Sequence, residues 1–165
     1  MAQTLALGAS LILLSAADKP SAVLQTDANG AGVELAKITL PKGEVDIRFE
    51  GLRSTKGMIR ACLTRDPHYF PKCEKDPAAR HASIAAAQAD AQLHFGGLEP
   101  GDYALLVLHD ENGNAKVDTM LGIPREGVGF SRNPKLMMGP PPFRKVHFPV
   151  AQGTVKQVVR LKYFL

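Results

Sequence analysis

At 165 residues the chain has the length of one domain and can bury a core, and 45% apolar against 22% charged residues excludes general disorder. The formal net charge of +4 is mild. With no dense Lys/Arg tract, no interleaved aromatics and no zinc-finger or P-loop spacing, nucleic acid is not an expected partner.

There is no Trp, so the core must be mostly aliphatic. Residues 5–16 form a short apolar run, and Ser15-Ala16-Ala17 places small residues where a signal peptidase reads. This predicts a secretory segment over residues 1–17, too short to remain as a membrane anchor. The usual basic residues ahead of it are missing, and a buried helix is the alternative. Residues 18–43 are weakly patterned, with Val33, Leu35, Ile38 and Leu40 as one candidate strand.

From residue 44 the pattern sharpens into one domain, residues 44–165. Val45, Ile47 and Phe49 alternate with Asp46, Arg48 and Glu50, the period of a strand with one buried face. A turn over residues 51–57 leads to a second strand, residues 58–64, with Ile59, Ala61 and Leu63 on one side. Cys62 and Cys73 then bracket a loop rich in Pro and aromatics. There is no CxxC for redox work or zinc, so a disulfide formed in an oxidising compartment is the expected state, with two buried thiols as the alternative. The alanines of residues 78–91 favour helix by propensity, but the surrounding pattern is all-β, and strand or mixed structure is expected there.

Phe95, Leu98, Pro100-Gly101 and Tyr103 form a turn that leads into a run apolar on both faces: Tyr103, Leu105 and Val107 on one, Ala104, Leu106 and Leu108 on the other. Such a strand is central and covered on each side. The arrangement resembles the turn and core strand of transthyretin-like and carboxypeptidase-regulatory-like β-sandwiches, a likeness that speaks to fold alone. After a long segment, Val146, Phe148 and Val150 alternate around Pro149, which places them at an edge or strand end. Val155, Val159, Leu161 and Tyr163 end the chain as a strand with a basic outer face of Lys156, Arg160 and Lys162. The expected fold is a single antiparallel β-sandwich of about seven strands, transthyretin- or Ig-like, with one long ordered loop.

That loop, residues 109–143, is too polar and too broken by Gly and Pro to read as helix or strand. Length of this kind inside a compact domain points to function. Asp110, Asn112, Asn114 and Asp118 stand at relative positions 1, 3, 5 and 9, with the Lys116 carbonyl at position 7 and Val117 placed to anchor the loop. This is the spacing that wraps oxygen ligands around Ca²⁺, but Ala115 stands where such loops carry Gly, and Leu121 replaces the closing Glu. The same residues are also good metal-free turn chemistry, so both readings stay open. Arg125, Glu126, Phe130, Ser131 and Asn133, with Arg132, are candidates for a binding surface beyond it, and Phe130 is also suited to pin the loop. Met137-Met138 are expected to pack beneath the loop.

The run Asp110-x-Asn112-x-Asn114-x-Lys116-x-Asp118, then Gly122-Ile123-Pro124-x-Glu126-Gly127-x-Gly129-Phe130-Ser131-x-Asn133 and Gly139-Pro140-Pro141-x-Phe143, resembles a bacterial family of small exported proteins. That family is catalogued only as a domain of unknown function. It typically has Gly at Ala115 and Tyr at Val128. The resemblance implies a periplasmic or secreted sandwich-like domain and no established catalytic residues.

The five histidines are scattered without a metal-binding pattern, and Ser131 lacks the Gly-x-Ser-x-Gly elbow. The function expected is therefore a non-catalytic binding or accessory module, with Ca²⁺ as its one candidate cofactor. Its partner would be an envelope protein or a small molecule. Two rivals stand beside it: a small hydrolase-like enzyme using His109, Asp110 and Glu126, and a carrier holding an apolar molecule inside the sandwich.

Overall fold

A computed structural model describes residues 41–90, 92–121, 123–137 and 139–165. The expected secretory segment and the candidate strand at residues 33–40 lie outside them. Ten strands and one short helix occur among the described residues. In chain order they are β1 (Gly43–Glu50), β2 (Met58–Thr64), β3 (Arg80–Ala85), β4 (Leu93–Leu98), β5 (Gly101–Asp110), β6 (Thr119–Met120), β7 (Ile123–Pro124), β8 (Gly127–Phe130), α1 (Phe143–Val146), β9 (Phe148–Val150) and β10 (Gly153–Arg160).

The all-β class holds, but the arrangement is richer than about seven antiparallel strands. A three-stranded sheet has the order β10-β1-β4, a five-stranded sheet has the order β3-β2-β5-β8 with β9 also on β5, and β6-β7 form a separate ribbon. The β1/β10 pair runs parallel, from Gly43 opposite Gly153 to Glu50 opposite Arg160, so the first and last of the described strands lie side by side. Strand alternation does not report pairing direction, because a buried face looks the same beside a parallel or an antiparallel neighbour.

Alternation decides which face goes inward. Val45 and Ile47 of β1, Leu93 and Phe95 of β4 and Val159 of β10 share one core with Ile59 and Leu63 of β2 and Leu105 and Val107 of β5. Full burial of each such aliphatic side chain stabilises by about 1.5–3 kcal/mol. The opposite face of β5 supplies Ala104 and Leu108 to a second cluster with Val128, Phe130 and Val146. Residues 78–90 are mixed: β3 is followed by a 3-10 turn at Ala86–Gln88. β9 meets only the first residues of β5, with Pro149 opposite Asp102.

The segment 109–143 is the main correction, because it contains β6, β7 and β8. In β8, Gly127 and Gly129 lie opposite His109 and Val107. A Cβ on Gly127 would stand 2.4 Å from the Tyr163 ring, and one on Gly129 would stand 2.6 Å from Val159 Cγ1. Glycine at both inward positions is what lets β8 approach the end of the chain so closely. Cys62 and Cys73 are disulfide-bonded with their Cα atoms 6.3 Å apart, which ties the loop after β2 across the outer face of the five-stranded sheet.

Candidate functional site

Asp110 ends β5 and is fully buried, so its charge must be met from inside the protein. Arg60 Nε donates to its Oδ2 at 2.6 Å, and the amides of Gly113, Asn114 and Ala115 donate to its two oxygens at 2.8, 3.1 and 2.9 Å. Burial pushes this carboxyl up, but the Arg60 and amide contacts outweigh burial and hold it below the usual range. The loop curls around Asp110, and Ala115 takes φ +60° to let it do so.

Asn112, Asn114 and Asp118 complete the turn. Both side-chain amides donate to Asp118 Oδ2, at 2.7 and 2.9 Å. The Asn114 backbone N–H donates to Asn112 Oδ1 at 3.0 Å, and the Lys116 backbone N–H to Asn114 Oδ1 at 2.8 Å. The side chains of Asp110, Asn112, Asn114 and Asp118 are thus tied into one hydrogen-bonded turn. Asp110, however, is committed to Arg60 and the backbone. Among the described residues no three His, Cys, Asp or Glu side chains stand together as a metal group. Val117 does not anchor the loop; it is partly exposed.

Glu126 lies behind this turn with only 4% of its surface exposed. Its Oε2 accepts from the Asp118 amide at 3.4 Å, and its Oε1 has no partner among the described residues. Burial pushes its carboxyl up, the Asp118 amide works against that, and the charges of Asp110, Asp118 and Glu111 raise it further. Glu111 is held down by Arg53, whose Nε and Nη2 both donate to Glu111 Oε2. Arg53 also donates to the carbonyls of Leu165 and Arg125 and lies over the Tyr163 ring.

His109 is fully buried. Its Nε2 donates to the Lys56 carbonyl at 2.8 Å, and its Nδ1 meets the Tyr163 hydroxyl at 2.6 Å. Both ring nitrogens are thus occupied by the fold, and neither reaches an open cleft.

Most of the candidate binding surface turns inward. Ser131 is fully buried: its hydroxyl donates to the Val146 carbonyl at 2.6 Å and accepts from the Leu105 amide at 3.0 Å, stitching β5 to α1. Phe130 packs edge-on against Phe70 within the second core cluster. Asn133 acts as a short strand mimic at the β10 edge, donating to the Val158 carbonyl and accepting from the Arg160 amide, both at 2.7 Å. Arg125 and Arg132 are exposed. Polar side chains in this stretch look like surface chemistry in sequence, but long-range backbone groups claim them.

What sequence reading missed is a groove of about 1210 Å³ on the outer face of the five-stranded sheet. Leu106, Leu108, Val128 and Phe130 form part of its floor, the disulfide loop one wall, and Lys116, Leu121 and Ile123 with Leu136 and Met137 others. Leu121, at φ +51° on the β6–β7 ribbon, is 96% exposed, and Met137 is 86% exposed. Met137 therefore stands on the rim rather than beneath the loop. Side chains from both sheets share the main core cluster between them. Among the described residues no helix is long and apolar enough to cross a membrane.

The model of the DUF2141 family, described as "Uncharacterized protein conserved in bacteria", matches residues 47–158. No curated protein and no solved structure matches the chain significantly.

Proposed function

This chain belongs to the DUF2141 family, and we propose that it is a non-catalytic, exported β-sandwich module that binds an apolar ligand in the groove on the outer face of its five-stranded sheet. The observation that carries this reading is the apolar floor joined to exposed apolar side chains on the rim. Leu121, Ile123 and Met137 leave hydrocarbon in water beside a concave apolar surface, an arrangement that soluble proteins keep small unless something covers it. At about 1210 Å³ the groove exceeds the ~300–1,000 Å³ of ordinary small-molecule sites.

The non-catalytic part of the reading is supported by the commitments of His109, Asp110 and Ser131 to the fold. The export part is supported by the apolar N-terminal run and by the disulfide. The loop's role is to set the β6–β7 wall. Ca²⁺ enters this reading at Asp118 and Glu126 rather than at Asp110, since Glu126 Oε1 is buried beside the turn and has no hydrogen-bond partner among the described residues.

The test is fluorescence of N-phenyl-1-naphthylamine, an uncharged probe that brightens in apolar surroundings. The protein should bind it at one site, and Leu121→Asp with Met137→Asp should weaken binding about tenfold or more. No gain in fluorescence, or a gain unaffected by both substitutions, would remove the groove as the site.

A further inference from the structure

One end of the groove is polar, and its polarity is built. Strand register sets Ser83, Arg60, Leu108 and Val128 in one row across β3, β2, β5 and β8. The next row on the same face is His81, Cys62, Leu106 and Phe130. The floor therefore passes from polar to apolar within about three strand spacings of ~4.8 Å.

Arg60 sits at the change-over, oriented by a fully buried carboxylate. Its Nε is taken by Asp110, while Nη1 and Nη2 have no partner among the described residues. Three backbone amides share the charge of Asp110, so the carboxylate does not belong to Arg60 alone. A guanidinium clamped along one edge presents its remaining nitrogens in a fixed orientation, which suits a carboxylate or phosphate. Lys72 and Lys116, without ion-pair partners among the described residues, also line the groove, against Glu74 as the acidic lining residue.

We infer that the groove binds an anionic single-chain amphiphile, its carboxylate or phosphate on the Nη groups of Arg60 and its hydrocarbon chain over Leu106, Leu108, Val128 and Phe130. The inference rests on the groove being the ligand site and adds the chemistry of the ligand.

The experiment is displacement of N-phenyl-1-naphthylamine by decanoate, decyl phosphate and decan-1-ol, three ligands with one chain and different heads. At about pH 8, where decanoate is ionised, the wild-type protein should prefer at least one of the anions over the alcohol by about tenfold or more. Which anion binds tighter identifies the head. Arg60→Lys keeps a cation for Asp110 but loses the fork, and should bring the anion/alcohol ratio close to one. Should that variant fail to fold, wild-type selectivity must shrink as NaCl rises from ~0.05 to ~0.5 M. Equal binding of all three ligands, or a ratio indifferent to Arg60→Lys or, where that variant does not fold, to salt, overturns the anion inference and leaves an apolar groove. Displacement by none of them overturns the groove reading itself.

Discussion

Ala115 occupies φ +60°, a conformation that costs a non-glycine residue roughly 1–2 kcal/mol because Cβ crowds the following carbonyl. The cost is accepted because its amide completes the cradle around Asp110. Ala115→Gly should therefore stabilise the protein by about 1 kcal/mol in a urea melt, after the entropy of an unfolded glycine is deducted. A variant less stable than wild type would show that the turn is not strained. Glu126 makes the opposite kind of demand. Its carboxyl is raised in the fold above the ordinary 4.5, first by burial. Below that value both folded and unfolded states are protonated and the favourable contribution is complete; as pH climbs through the folded value it is lost. Glu126→Gln, neutral at every pH, should melt above wild type at pH 8, with the gap closing toward pH 4. A gap no larger at pH 8 would mean that the carboxylate has found a partner. Millimolar Ca²⁺ should raise the wild-type midpoint at pH 8 and leave the Gln variant unmoved; an unmoved wild type would remove the ion.

Elements were legible in the chain where side chains alternate over five or more residues. β1, β5 and the end of β10 announce themselves through Val45-x-Ile47, Tyr103-x-Leu105-x-Val107 and Val155 to Leu161. β8 did not, because its inward positions are glycines and carry no hydrophobic signal, and β6 and β7 are too short to show a period. The same limit explains the site. Asp110, Asn112, Asn114 and Asp118 could be found because they are close in sequence. Arg60 and Arg53, some fifty residues earlier, could not, and neither could a groove whose floor is assembled from rows running across strands. The disulfide was visible from its spacing and compartment logic, and it carries an element-scale prediction. Closing a loop over a separation of 11 residues contributes roughly 3 kcal/mol through the unfolded chain. Reduction should lower the melting midpoint accordingly. It should also weaken N-phenyl-1-naphthylamine binding in protein that is still folded, since Pro71, Lys72 and Glu74 wall the groove. A midpoint unchanged by reductant would mean that the cysteines are not bonded in solution.

At the scale of the whole molecule, the buried core and the ribbon that walls the proposed groove lie in different parts of the chain. The inward faces of β1, β2, β5 and β10 hold fully buried Ile47, Ile59, Leu63, Leu105, Val107 and Val159. The β6–β7 ribbon has two residues per strand, exposed apolar side chains and, among the described residues, ladder pairing only within itself. A protein unfolds locally where few buried contacts oppose opening, and globally where the core must open. Amide hydrogen exchange should therefore be slowest at residues 45–49, 59–63 and 103–109, opening there only with the full free energy of unfolding. Exchange over residues 116–121 and 123–125 should be faster by several orders of magnitude. Saturating decanoate should slow that segment most, because its side chains form a wall of the groove, while β1, on the other sheet, changes only as overall stability changes. Uniform slowing across both sheets would mean that the ligand acts on global stability alone and that the ribbon is not its wall. Ribbon amides as slow as those of β5 without ligand would show that the wall is part of the rigid core.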